Sequence, residues 1–160
     1  MAAAKTGPYT KSAEPLMITR VFDAPRERVW KAWTDYKRLA QWWGPHGFTN
    51  PICEIDARHG GAIRIHMRGP DGSVYPMTGV YQEVVEPERL VFTSGALDEH
   101  GNVLFHVQTT VTFADEGGKT KLTLQASVVT STPEGAPYLK GMDAGWTQSL
   151  ERLGAYVAKS

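Results

Sequence analysis

The chain has 160 residues, with 17 Lys and Arg set against 17 Asp and Glu, and a single cysteine, Cys53. Balanced charge without a basic run gives no electrostatic pull toward nucleic acid or an anionic membrane. One cysteine excludes an intrachain disulfide and favours a reducing, cytoplasmic setting, and no stretch is apolar over the length that membrane insertion requires.

Residues 1–15 are Ala, Lys, Thr, Ser and Pro without an apolar centre, so they read as a flexible arm rather than a signal peptide. One domain is expected over 16–160. Its first patterned segment, 16–22, alternates as a strand does. Asp23-Ala24-Pro25 then opens a helix, because proline suits a first turn where its missing N–H costs nothing. Val29, Trp30 and Trp33 give that helix an aromatic inner face. Asp35 is placed to cap a second short helix through Leu39 to Trp42, which Gly44-Pro45 closes.

From Ile52 onward the period changes to two. Ile63, Ile65 and Met67 alternate with Arg64, His66 and Arg68, one dry face against one wet face. Gly69-Pro70-Asp71-Gly72 reads as a hairpin turn. Strands follow at 74–85, 89–94, 105–114 and 120–130, with Glu86-Pro87-Glu88 and Asp115-Glu116-Gly117-Gly118 as corners. Helical spacing returns at 138–158, where Leu139, Met142, Trp146, Leu150, Leu153 and Val157 draw one apolar stripe.

Consecutive strands with tight turns predict an antiparallel meander. Each strand has one apolar face, and a single long helix is available to cover the sheet. A helix about 10 Å across does not fill the concavity of a twisted sheet of about seven strands. The expected architecture is therefore α+β: a curved sheet around a long C-terminal helix, two short helices after the first strand, and space or bulky side chains between. Gly141, Ala144, Gly145 and Gly154 in the last helix fit either close packing or room for a ligand.

Several motifs, taken in order, resemble a known family. They are the run from Phe22-Asp23-Ala24-Pro25 to Trp33-Thr34, then Trp42-Trp43-Gly44-Pro45, then Gly60-Gly61 with Met67-Arg68-Gly69-Pro70-Asp71-Gly72. Gly79-Val80-Tyr81, Pro87-Glu88-Arg89-Leu90-Val91-Phe92-Thr93, and Gly145-Trp146 with Leu150, Leu153 and Tyr156 complete the set. The pattern is similar to bacterial START-like proteins (the SRPBCC or Bet-v-like superfamily), on the branch grouped with the C-terminal domain of the activator of heat-shock-protein ATPase. That resemblance implies the helix-grip fold. It also implies a superfamily of lipid carriers, hormone and polyketide binders and cyclases, so the fold alone assigns no activity.

The expected function is binding of a small hydrophobic or amphipathic ligand, lipid-like or resembling an aromatic polyketide or flavonoid, between sheet and helix. Expected lining residues are Ile63, Ile65 and Met67, then Tyr81 and Phe92, then Val107, Val111 and Leu124, with Met142, Trp146 and Leu150 from the helix and Trp43 before the sheet. The competing reading of each is plain core. Parity turns Arg64, His66 and Arg68 toward solvent. A cyclase or hydrolase using the same pocket, or a chaperone-associated interaction module, are the alternatives. No catalytic set, metal site or cofactor motif is recognised: Cys53 lacks a sequence-local activating partner, and general acid–base work by His46, Tyr81 or His66 rests on residue type alone. A monomer or weak homodimer is expected, with segments 43–48 and 131–137 gating access.

Overall fold

The computed structural model describes residues 15–159; residues 1–14 of the expected arm lie outside them. The chain forms β1 (Leu16–Phe22), α1 (Arg26–Thr34), α2 (Tyr36–Leu39), β2 (Thr49–Ile55), β3 (Ala62–Arg68), β4 (Val74–Val85), β5 (Arg89–Ala96), β6 (Phe105–Glu116) and β7 (Lys119–Ser131). A 3₁₀ turn (Pro133–Gly135), α3 (Ala136–Lys140) and α4 (Met142–Lys159) complete it. This is the helix-grip arrangement: a curved seven-stranded antiparallel sheet gripping a C-terminal helix.

The strand order is β1-β7-β6-β5-β4-β3-β2. The expected meander holds from β2 to β7. β1 departs from it, because its partner is the last strand, with Leu16 opposite Ala126 and Phe22 opposite Thr120. Consecutive strands β1 and β2 therefore form the two edges of the sheet, six strand spacings or about 29 Å apart along it. The two short helices carry the chain across that width. α1 buries Val29, Trp30, Ala32 and Trp33, and Trp30 meets Phe113 of β6 edge-on at 5.3 Å.

Register shifts on β2, β4 and between β6 and β7 interrupt the ladders. Such bulges bend a strand and raise its twist, which fits a sheet that curls around a helix. The tightest corner is Gly117-Gly118, where both residues take positive φ, 64° and 92°. A two-residue hairpin turn matched to the strands' twist needs that conformation.

The C-terminal helix differs from the expectation in one respect. The stripe expected over 138–158 is broken at Gly141, whose N–H donates to the Tyr138 carbonyl at 3.2 Å and ends α3 with a tight turn. α4 then runs on with two unlike halves. Leu150, Leu153 and Val157 are fully buried, and the Gly154 backbone lies so close to β1 that an added Cβ would stand 3.3 Å from the Phe22 ring. Met142 and Trp146, one to three turns earlier, are only half-buried. The helix is anchored at its C-terminal half and stands off the sheet at its N-terminal half.

That division has a measurable consequence. Leu153→Ala should cost about 2–5 kcal/mol in urea unfolding, as large-to-small changes in a closed core do, whereas Met142→Ala should cost less than about 1 kcal/mol. Equal costs would mean that the two halves are packed alike.

Candidate functional site

The gap between the N-terminal half of α4 and the sheet is a cavity of about 730 Å³. Loop 43–48 supplies Trp43, Gly44, Pro45 and Phe48; β3 and β4 supply His66, Met67, Tyr75 and Met77. The end of β5 and the turn after it add Ser94 and Asp98-Glu99, and β6 adds Phe105, Val107 and Thr109. α3 and α4 close the space with Tyr138, Leu139, Met142, Gly145, Trp146 and Ser149.

Aromatic rings frame it. Trp146 stacks on Trp33 at 6.0 Å and 23°, and meets Trp43 edge-on at 5.3 Å. On the opposite side Phe48, Tyr75, Tyr138 and Phe105 form a chain with successive centroids 5.8, 6.3 and 6.1 Å apart. That chain links the loop and α3 to strands β4 and β6 of the sheet. Contacts of this geometry add about 0.5–1.5 kcal/mol each beyond area burial.

Arg152 of α4 holds the loop. Its guanidinium donates to the carbonyls of Trp43 at 3.1 Å, Gly44 at 2.9 Å and Pro45 at 3.0 Å, and to Gln41 at 3.3 Å. Burial draws its pKa down from the ordinary arginine value, but a guanidinium stays charged. Asn50 adds a second tie, donating to Ala40 and Trp43 carbonyls at 3.0 and 2.9 Å. Gly44 sits at φ +99°, and a Cβ there would stand 3.1 Å from the Met67 sulfur and 3.3 Å from the Phe48 Cβ. Only glycine fits both the backbone conformation and the space.

Polar groups inside the cavity are few. Thr109 is only 1% exposed, lies on the wall, and its hydroxyl has no hydrogen-bond partner among the described residues. Ser149 donates to the Gly145 carbonyl at 2.9 Å and keeps its oxygen lone pairs free to accept. At the outer end, Asp98 accepts from the backbone N–H of Asn102 and of His100, each at 2.8 Å. Chiefly the Asn102 bond holds its carboxyl below the usual carboxylate range.

Of the expected lining residues, Trp43, Met67, Val107, Met142 and Trp146 stand on the cavity wall. Ile63, Ile65, Tyr81 and Phe92 lie on the same sheet face but surround a separate void of only about 10 Å³, beside Trp33 and Trp43. Val111, Leu124 and Leu150 are sealed in the core. Parity identifies the face that a side chain takes; position along the strand decides whether it meets the cavity or the core. His66, turned outward by parity, contributes to the wall near the end of β3. The wall residues beyond the expectation include Phe48, Tyr75, Met77, Phe105, Thr109, Gly145 and Ser149. Thr109 was detectable, as the one polar residue in the alternating inner series Phe105, Val107, Val111, Phe113 of β6.

For acid–base chemistry the arrangement offers little. Burial pushes the Tyr81 hydroxyl well above the ordinary tyrosine value, with Cys53 and Asp56 adding to the effect. His46 pairs with Glu151 at 2.8 Å on the exterior. No group of three or more His, Cys, Asp or Glu among the described residues is placed to hold a metal, and no described helix is long and apolar enough to cross a membrane. The Cys53 thiol is pushed up to about 11, first by burial and then by the Glu54 charge. Its modification by an aromatic disulfide reagent should therefore be slow at pH 8 and rise with a midpoint near pH 11, well above that of free cysteine; a midpoint near 8.5 would show an ordinary exposed thiol.

Comparison with known proteins agrees with this geometry. Residues 23–158 match the family described as activator of Hsp90 ATPase homolog 1-like protein. A Chromobacterium violaceum protein of known structure is 32% identical over 90% of this chain and 96% of its own, with a TM-score of 0.72. An Arthrobacter aurescens protein is 26% identical, covering 97% and 92%, with a TM-score of 0.81, and an AHSA1 protein from Silicibacter pomeroyi is 25% identical, covering 90% and 97%, at 0.77. No curated protein matches the chain. With more than four-fifths of its length matched in order on the helix-grip fold, the chain belongs to the activator of Hsp90 ATPase homolog 1-like family.

Proposed function

We propose that this protein binds a small hydrophobic or amphipathic molecule in the cavity between the sheet and α4, without transforming it. The observation that carries this reading is Gly145. It is the fourth residue of α4, where its N–H already donates to the Gly141 carbonyl at 2.9 Å; at a helical position glycine costs up to about 1 kcal/mol relative to alanine, and an added Cβ here would meet nothing within 4 Å. Close packing accounts for Gly154, and a helix end accounts for Gly141. At Gly145 neither applies, and the helix presents bare backbone to an open, mostly apolar volume.

The volume, about 730 Å³, lies within the roughly 300–1,000 Å³ range of small-molecule sites. Each 100 Å² of apolar ligand surface removed from water contributes about 2.5 kcal/mol before the costs of association. Methionines at three wall positions, Met67, Met77 and Met142, adapt to varied ligand shapes, which suits a lipid-like chain or a flat polyketide or flavonoid-like compound. A transforming enzyme of cyclase or hydrolase type would need a titratable pair within hydrogen-bond reach inside the cavity. Among the described residues the wall's titratable side chains are His66, Asp98 and Glu99, the tyrosines aside, and Asp98 is committed to its own turn.

Gly145→Leu extends a side chain into the cavity from a position where an added Cβ meets nothing within 4 Å. It should keep the fold and abolish the saturable tryptophan-fluorescence and thermal-shift response to a panel of fatty acids, sterols and flavonoids. Gly145→Ala should raise Tm by about 2–4 °C through helix propensity. A panel that leaves the unaltered protein silent, or a response that survives Gly145→Leu unchanged, would overturn the reading.

A further inference from the structure

The cavity wall has a one-sided chemistry. It carries aromatic faces from Trp43, Trp146, Tyr75 and Phe105, three methionine sulfurs, and two carboxylates at its outer end, Asp98 and Glu99. Among the described residues it carries no Lys or Arg, and its one basic group is the imidazole of His66. Arg152, the nearest guanidinium along α4, is spent on loop carbonyls behind the wall. A cavity built for fatty acids or other organic anions would place a fixed cation where the head group comes to rest. Aromatic faces, thioethers and carboxylates favour the opposite sign.

The two polar ends are well separated. Thr109 stands opposite Phe92 in the β5–β6 ladder, and Asp98 lies six residues farther along the same course, about 20 Å away at a strand's rise. The deep end offers the hydroxyl of Thr109, a residue only 1% exposed that lies on the wall. The mouth offers two carboxylates, Asp98 locked by its turn and Glu99 in solvent with His100 at 3.8 Å. A ligand lying along β5 and β6 places its apolar body between the tryptophans and the methionines and its outer end beside those carboxylates.

We infer that the cavity selects amphipathic organic cations, with the ammonium or amidinium-type group seated at Asp98 and Glu99, and discriminates against anions of the same size. The inference rests on the binding reading above and deepens it by naming the sign of the ligand's charge. Titration calorimetry with decyltrimethylammonium, decanol and decanoate, each below its micellar concentration, separates the two. In low salt the cation should bind about tenfold tighter than the anion, with the alcohol between them and the gap shrinking in about 0.3 M salt. Asp98→Asn with Glu99→Gln should bring the cation and the anion together, moving the alcohol's Kd less than either; Glu99→Gln alone, in a residue that takes no part in the turn's hydrogen bonds, should narrow the gap by part of that amount. Alcohol and anion binding as tightly as the cation would overturn the inference while the cavity reading stands. If none of the three binds, the cavity reading fails, and the inference fails with it.

Discussion

One helix is too narrow to fill the concave face of a seven-stranded sheet, and most of this molecule's character follows from how the mismatch is resolved. α4 does not sit midway between the strands. It commits its C-terminal half to contact, with Leu150, Leu153 and Val157 fully buried and Gly154 against Phe22. Its N-terminal half is left standing off β3 to β6. Close packing at one end and open volume at the other cost less than a helix loosely packed along its whole length, because dispersion contacts fall away over a gap of an ångström.

The boundary between the two regimes is a wall of indoles. Trp33 lies between Trp42, Trp43 and Trp146, with centroids 4.8, 6.3 and 6.0 Å away. Behind it are Ile63, Ile65 and Phe92; in front of it is the cavity. Trp42 anchors the cluster by donating its indole N–H to the Ala32 carbonyl at 2.9 Å, whereas the Trp33 N–H is buried without a partner among the described residues. The polar ties around this wall converge on loop 43–48, where Arg152 and Asn50 together satisfy five backbone carbonyls. The loop that positions Trp43 is thus held to α4 by charge-assisted hydrogen bonds as well as by the Trp43–Trp146 contact, so the cavity's lip is fixed even where its interior is open.

This organisation explains what was legible in the residues and what was not. The strands were readable because a half-buried strand writes its burial as alternation, as in Ile63, Ile65 and Met67. The pairing of β1 with β7 was not, because Leu16 and Ala126 find each other across the whole chain and nothing local records it. The break at Gly141 was hidden inside a stripe that keeps its period through the turn. The site divided in the same way. Met142 and Trp146 were identifiable as cavity residues and Leu150 was not separable from them, because all three share one helix face and differ only in how far along α4 they lie. Tyr81 and Phe92 were expected in the wall for the matching reason on the sheet.

The two halves also separate stability from specificity. Residues that hold the fold together, such as Val111, Leu124 and Leu153, are sealed where no ligand reaches them. Residues that face the cavity, such as Met67, Gly145 and Glu99, carry little of the core's burial and are free to differ without unfolding the sheet. A fold partitioned in this way accommodates many ligand chemistries on one scaffold, and what distinguishes a given chain is written at the open end. In this chain that end combines bare helix backbone at Gly145, sulfur and indole along the walls, the hydroxyls of Thr109 and Ser149, and carboxylates at the mouth. Among the described residues, the wall without Lys or Arg belongs to the half of the molecule where side chains are least constrained by packing, so a change of charge there bears little on the fold.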